Sequence, residues 1–212
     1  MRYLDSVGFD DAPKIIGAGF SEDGREQLEF IKGEVINLRP WSLDGVHGLS
    51  RMINELHEAS STFLPEPDAI LQAYFGPTLG GSDRIVSHCD LAPWNVVWRD
   101  RLSVGLIGWE YAVSIDPIIE LAQAAWQNIR LFSGDAAKLE NLPPIEIQAA
   151  QLHEFLNAYQ LLKSDPASFL DLLVEYVVRD VAFQADEVCV TKDTVGSDAV
   201  LGMAWRARSA VG

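Results

Sequence analysis

Residues 88–95 read His-Cys-Asp-Leu-Ala-Pro-Trp-Asn, and this stretch decides the fold. It spaces a histidine, an aspartate and an asparagine as H-x-D-x-x-x-x-N, the pattern of catalytic loops that transfer phosphoryl groups. In such a loop the aspartate accepts the proton of the attacking hydroxyl, and the asparagine binds a magnesium ion. A tight loop is needed because the carboxylate must face the substrate while the amide oxygen faces the metal. The stretch therefore predicts Asp90 as catalytic base and Asn95 as a metal ligand.

A second set of motifs follows the first along the chain. Residues 106–110 read Leu-Ile-Gly-Trp-Glu, and Asp116-Pro117 and Glu120-Leu121-Ala122 come next. Together the motifs resemble those of the aminoglycoside phosphotransferase and choline kinase-like family, which read H-G-D-L-x-x-x-N, I-D-W-E, G-D-P and D-L-A. The resemblance extends from about residue 4 to about residue 180. Further short matches occur in the family's order, at residues 8–13, 24–26, 33–34 and 56–57.

The resemblance implies an α+β, protein-kinase-like fold with a mostly helical C-terminal lobe. Residues 1–34 would be the remnant of a truncated N-terminal lobe, a helix end plus a β-hairpin, and residues 35–212 would form the C-terminal lobe. Residues 29–35 would be the last strand and the hinge, where Glu29 and Ile31 would contact a nucleotide base. The implied cofactors are ATP and magnesium, and Asn95 would contact the nucleotide and bind the metal.

Two departures from the family pattern put activity in doubt. Gly108 stands where the family has its metal-binding aspartate, and glycine offers no ligand. The second departure is that the start of the kinase fold is missing. Phosphoryl transfer needs a lid over the phosphates, a strand lysine and a helix glutamate that pairs with it, and the sequence contains no convincing lid. Lys14 is rejected as that lysine, because too few residues follow it to form the glutamate helix before the next strand. Glu110 is the remaining candidate to hold the metal together with Asn95.

Other residues of the motifs have simpler interpretations. The family's motif histidine is structural, so His88 is expected to fix the catalytic loop by hydrogen bonding. Cys89, where glycine is usual, is a poor nucleophile candidate because the adjacent side chains of residues 88 and 89 point apart. Asp116 and Glu120 are expected to cap and brace the helix that begins near Pro117. His57 is expected to be a hydrogen-bonded histidine at a helix end.

Composition limits the class of protein. A formal net charge of −15 argues against nucleic acid or an anionic membrane as partner and is compatible with a cationic substrate. Two cysteines are too few for a disulfide framework in 212 residues. No apolar run approaches the ~20 residues that cross a bilayer, and the first residues lack the apolar core of a signal peptide. The cytoplasm is therefore the predicted location.

Periodicity and turn signals predict the secondary structure. A hairpin is expected around Asp23-Gly24, with strands at 14–16 and 27–31. Helices are predicted at about 44–59, 117–129, 145–162, 166–186 and 198–207, and short strands at 84–87, 96–98 and 104–107. Because a two-stranded sheet has open edges, we expect the hairpin to pair with a second copy or with a separate chain.

Three functional hypotheses remain open. The first is a degenerate phosphotransferase that retains a nucleotide- or ligand-binding cleft but transfers phosphate weakly or not at all. The second is an active ATP-dependent kinase that phosphorylates a hydroxyl of an aminoglycoside or amino-alcohol, with Asn95 and Glu110 on magnesium. The third is a non-catalytic interaction scaffold.

Overall fold

A computed structural model describes residues 1–36, 41–71, 79–132, 137–138, 141–163, 166–190 and 194 of the chain. The elements follow one another in mixed order. The helices are α1 (Arg2–Ser6), α2 (Leu43–Ser60), α3 (Pro117–Ile129), α4 (Ile145–Ala158) and α5 (Pro166–Glu187). The strands are β1 (Ile15–Phe20), β2 (Glu26–Leu28), β3 (Glu34–Val35), β4 (Ile85–Ser87), β5 (Val96–Arg99), β6 (Leu102–Leu106) and β7 (Val113–Ile115). Short 3₁₀ turns occur at Pro93–Asn95, Trp109–Tyr111 and Leu161–Lys163.

The core lies where α3 meets the other long helices. Helix α3 begins at the Asp116 cap with proline in its first turn, and most of its residues are apolar. It packs against α2, α4 and α5, which bury its apolar residues. Helix α2 contributes an apolar stripe at helical spacing, formed by Val46, Leu49, Ile53 and Leu56, all buried.

Small antiparallel sheets place the two motif loops side by side. Strand β5 pairs with both β3 and β6, and β4 pairs with β7. The loop of residues 88–95 connects β4 to β5, and residues 107–112 connect β6 to β7. Val96 lies opposite Leu106, and the Ile107 N–H donates to the Asn95 carbonyl at 2.9 Å. The two loops therefore leave the same end of the β5–β6 ladder.

The hairpin β1–β2 is present, but its second strand is shorter than predicted. The ladder ends at Leu28, apart from a bond from the Glu29 N–H to the Lys14 carbonyl at 2.8 Å. Of residues 29–35, expected to be the last strand and the hinge, Glu34–Val35 form a strand, and it pairs with β5. The division of the chain at residues 34 and 35 falls inside β3 and stays a prediction.

The outer edge of β1 is partly covered by the chain itself. The Arg2 guanidinium donates to the Ala18 carbonyl at 2.8 Å and approaches the Gly17 carbonyl at 3.5 Å. A charged side chain across strand carbonyls makes edge-to-edge pairing harder. The predicted pairing of the hairpin with another chain remains a prediction, and Arg2 is an obstacle that it must displace.

The other sequence predictions fit the structure closely. The helices near residues 44–59, 117–129 and 166–186 are confirmed within one residue at each end, and the one near 145–162 ends earlier, at Ala158. The three short strands are confirmed, with shifts of one or two residues. The helix predicted at 198–207 lies outside the described residues. None of the helices in the described ranges combines the length and hydropathy that crossing a bilayer requires.

The close approach of Gly33 to β5 generates a stability prediction. A Cβ at Gly33 would lie 2.5 Å from the Trp98 carbonyl oxygen and 2.5 Å from Cγ1 of Val97. Because the obstacle includes backbone, we expect Gly33→Ala to lower the free energy of unfolding by about 1–3 kcal/mol in urea titrations. Gly81→Ala is the control, since its nearest neighbour would be 3.5 Å away. Equal stability of both variants would contradict the tight contact.

Candidate functional site

Asp90 lies in the loop between β4 and β5, and two neighbours hold its side chain. The Asn95 amide nitrogen donates to Oδ2 of Asp90 at 2.7 Å and to the Asp90 carbonyl at 2.8 Å. The Trp94 indole nitrogen donates to the same Oδ2 at 3.2 Å. Burial raises the pKa of Asp90 above its ordinary value, and the bond from Trp94 opposes the rise. The structure thus brings Asp90 and Asn95 together as the spacing predicted.

His88 fixes the loop to the second motif. Its ring is fully buried, Nε2 donates to the Ile107 carbonyl at 2.8 Å, and Nδ1 accepts the Asp90 N–H at 3.2 Å. These two bonds require the neutral tautomer with the proton on Nε2. Burial lowers the pKa of His88, which favours that neutral form. His88 therefore joins the two loops as a structural residue.

Three polar side chains of α3 hydrogen-bond to the backbone of the loop of residues 88–95. Glu120 accepts the Cys89 N–H at 2.5 Å, Gln123 donates to the Cys89 carbonyl at 3.2 Å, and Asn128 donates to the Leu91 carbonyl at 2.6 Å. Gln123 and Asn128 lie outside the sequence motifs. Their signal was available as polar residues in an otherwise apolar helix, at spacings of three and eight from Glu120 that share one helical face.

Glu120 also connects the loop to two other helices. Its Oε2 accepts a hydrogen bond from His57 Nε2 at 2.6 Å, and Nδ1 of His57 meets the Tyr159 hydroxyl at 2.6 Å. Burial alone raises the pKa of Glu120, but His57 and the Cys89 N–H outweigh it and hold this pKa below the ordinary value. The prediction for His57 is confirmed, because this residue is buried and hydrogen-bonded at both ring nitrogens. The predicted cap is also confirmed, because Asp116 accepts the Ile118 N–H at 2.8 Å.

Cys89 occupies a strained backbone position and is not a reactive thiol. Its φ is +63°, the left-handed region that glycine adopts without cost, which explains why glycine is usual in the family pattern. Its side chain is buried, with Sγ 3.4 Å from the Val113 carbonyl. Burial raises the pKa of Cys89 far above that of a free thiol, which disfavours the thiolate.

The Asn95 side chain fills the space that a side chain at position 108 would need. Gly108 has φ +74°, and a Cβ built on it would overlap Oδ1 of Asn95. The Asn95 amide thus fills the region into which a carboxylate at position 108 would project. Glu110 is exposed, and no group of three or more His, Cys, Asp or Glu side chains able to hold a metal occurs within the described ranges. These residues do not fit a magnesium site of the family type.

Two cavities meet at Glu110. We call the first the hinge cavity: it measures about 490 Å³ and is lined by Glu29, Ile31, Val97, Gly108 and Glu110 among others. We call the second the loop cavity: it measures about 380 Å³ and is lined by Cys89, Asp90, Trp94, Asn95, Glu110, Tyr111, Gln123, Gln127, Asp180 and Gln184. The residues predicted at the nucleotide base and those predicted for catalysis therefore line adjacent cavities.

Lys14 lies outside both groups of described lining residues. Its ammonium group pairs with Asp5 at 3.1 Å and with Asp10 at 3.0 Å on the surface. The rejection of Lys14 as a phosphate-binding lysine is consistent with these contacts.

Comparisons with known proteins show the family of this chain. A family model described as "Phosphotransferase enzyme family" matches residues 18–172. The trifolitoxin immunity protein of Rhizobium leguminosarum bv. trifolii is 39% identical over 210 residues, which span 99% of this chain and 80% of that protein.

Two solved structures are similar to this chain at low sequence identity. A putative aminoglycoside phosphotransferase from Ralstonia eutropha JMP134 matches with a TM-score of 0.50 and 12% identity, over 98% of this chain and 78% of that one. An aminoglycoside-3'-phosphotransferase of type VIII matches with a TM-score of 0.44 and 19% identity, over 82% and 77% of the two chains. The expected α+β, kinase-like fold is confirmed by the first of these structures.

The Glu120 contacts predict an acid-dependent loss of stability. Because the folded pKa of Glu120 lies below its ordinary 4.5, its contribution is present above that pH and is lost as the pH falls through the folded value. We expect Glu120→Gln to cost about 3–5 kcal/mol near neutral pH and progressively less in acid, measured by urea unfolding. Glu58→Gln, at an exposed site on α2, is the control and should leave the pH profile unchanged.

The burial of Cys89 predicts the thiol reactivity of the folded chain. A disulfide reagent such as dithionitrobenzoate should titrate the exposed Cys189 quickly and Cys89 only after unfolding. The variant Cys189→Ser should then show no fast-reacting thiol. Fast labelling of Cys89 in that variant would contradict the buried, protonated state.

Proposed function

Because the chain belongs to the phosphotransferase enzyme family, we propose that it binds a small-molecule ligand in the cleft formed by the two cavities and transfers phosphate weakly or not at all. The cleft retains the base and loop of an enzyme, with Asp90 held by Trp94 and Asn95. What is lost is the means of holding metal and phosphates.

The contact between Asn95 and Gly108 carries this proposal. By resemblance to the family, the asparagine of the first motif and an aspartate at position 108 would both bind magnesium. Here the Asn95 nitrogen is committed to Asp90, and its oxygen occupies the position beside Gly108. A metal-bound carboxylate stabilises transition-state charge by several kcal/mol, and glycine contributes none of that energy.

The charges of the hinge cavity point in the same direction. Its described lining includes three acidic residues, Glu26, Glu29 and Glu110, against one cation, the Met1 ammonium, and no lysine or arginine. Carboxylates repel phosphate groups unless a cation lies between them. The apolar part of the wall, which includes Leu28, Ile31 and Val97, still suits a flat base or another apolar group.

An active kinase is the second candidate, and the position of Glu110 favours it. Glu110 is the charged residue that the two cavities share among their described lining, so its carboxylate stands between the expected nucleotide and acceptor positions. In this candidate Asp90 takes the proton of an acceptor hydroxyl, on an aminoglycoside or an amino-alcohol. Asn95 and Glu110 would be the residues that face the phosphates.

The named relative suggests a biological setting for either candidate. Since a 39% identical protein is called an immunity protein for trifolitoxin, we propose that this chain also contributes to immunity, with a toxin or a product related to it as ligand. A degenerate site would sequester the ligand, and an active one would phosphorylate it. Sequestration of the ligand is compatible with the predicted cytoplasmic location. It is also compatible with the third hypothesis, a non-catalytic scaffold.

Calorimetric titration with ATP, with and without magnesium, separates the candidates. We expect weak binding that magnesium tightens by less than about threefold, because the metal has lost a carboxylate ligand. Tightening of tenfold or more, together with ATP-dependent phosphorylation of an amino-alcohol or aminoglycoside, would overturn the degenerate assignment in favour of an active kinase.

Restoring the missing carboxylate tests the same idea from the opposite direction. Gly108→Asp should increase magnesium-dependent ATP affinity about tenfold or more, provided that Asn95 turns its oxygen away from position 108. Gly108→Asn is the matched control, because asparagine has the same size and the same tolerance of positive φ but no charge. Equal behaviour of the two variants would count against the metal-site explanation.

A further inference from the structure

Trp94 belongs at once to the catalytic loop and to the surface of the loop cavity. Its indole nitrogen donates to Oδ2 of Asp90 at 3.2 Å, while 42% of the residue remains exposed. Trp94 is too exposed to be a core residue, and its bond to the half-buried Asp90 carboxylate distinguishes it from an ordinary surface residue. Trp94 stands at one of the unspecified positions of the H-x-D-x-x-x-x-N pattern.

The hydrogen bonds on Asp90 leave one of its oxygens for a ligand. Both Trp94 and the Asn95 amide donate to Oδ2. Among the described residues no hydrogen bond to Oδ1 is made. The carboxylate is therefore fixed from one side, and a group that enters the loop cavity meets an oriented acceptor rather than a rotating one.

The rest of the cavity wall suits a flat cation. Tyr111, which is 46% exposed, adds a second accessible aromatic ring, and Glu110 and Asp180 add carboxylates to that of Asp90. Asp180 is buried on α5 and accepts a hydrogen bond from Gln184 at 2.6 Å, so its position is fixed. A cation over a tryptophan face gains a further attraction that is strongest when the pair is desolvated.

We propose that Trp94 is the positioning residue of Asp90 and also the platform on which a planar cation of the guanidinium type stacks inside the loop cavity. This inference rests on the proposed function of that cavity as a ligand site, and it adds the class of ligand. Guanidinium groups stack on aromatic rings and donate in fixed directions, so one group can contact the ring face and Oδ1 of Asp90 together.

A pair of dications with the same butyl spacer tests the platform. Agmatine carries a planar guanidinium and an ammonium group, whereas 1,4-diaminobutane carries two ammonium groups and no flat face. We expect calorimetry without nucleotide or magnesium to show agmatine binding about tenfold tighter than 1,4-diaminobutane. Equal affinities would mean that negative charge alone attracts the ligand, and would overturn the stacking assignment.

Two substitutions at Trp94 separate its ring from its N–H. Trp94→Ala should weaken agmatine about tenfold or more, and Trp94→Phe, which keeps a flat ring, should restore most of that loss. Trp109→Phe is the matched control, because it removes an indole N–H that donates to the Leu106 carbonyl at 2.9 Å instead of to Asp90. Unchanged agmatine affinity in Trp94→Ala would overturn the proposal.

The indole signal reports the positioning role directly. In ¹H–¹⁵N spectra, Asp90→Asn should move the Trp94 indole proton upfield, because a neutral amide oxygen is a weaker acceptor than a carboxylate. The Trp109 indole proton should stay in place. A Trp94 signal that ignores Asp90→Asn would show that the bond does not exist in solution. Since no measurement here uses nucleotide, failure of ATP to bind leaves this test intact.

Discussion

The buried carboxylate of Glu120 is the contact on which the site depends. Its two oxygens accept hydrogen bonds from the Cys89 N–H and from the His57 imidazole. The side chain of Glu120 therefore links the loop of residues 88–95 to α2 and α3. Tyr159 extends the chain of bonds to the end of α4. A carboxylate in such a place is tolerated only when its partners are complete, which makes the network an all-or-none feature.

The geometry of Asp90 follows from that anchor. Gln123 and Asn128 hold carbonyls on either side of Asp90, and His88 joins the same loop to the strand end that carries Gly108. The loop is therefore held at three backbone points by one rigid helix, independently of any nucleotide. This explains how Asp90 presents an oriented carboxylate at the wall of the loop cavity.

The sequence predicted the main helices and the short strands well, for identifiable reasons. The stripe of α2 and the Asp116-Pro117 start of α3 are local signals, and the H-x-D-x-x-x-x-N spacing brings Asp90 to Asn95 through a loop too short to do otherwise. The extent of the strand within residues 29–35 was not predictable, since only Glu34 and Val35 join a ladder. Their path depends on the close approach of Gly33 to β5, a tertiary contact without a local signal.

Position 108 has a consequence for how the protein changes over generations. The glycine codons GGU and GGC become aspartate codons through one nucleotide substitution, and the backbone at this position already has the left-handed φ that aspartate tolerates better than most residues. The Asn95 amide, which lies beside this position, must turn for such a carboxylate to fit. A carboxylate at position 108 is thus one codon change and one side-chain rotation away, whereas neither change supplies the lid, the strand lysine or the helix glutamate of phosphoryl transfer.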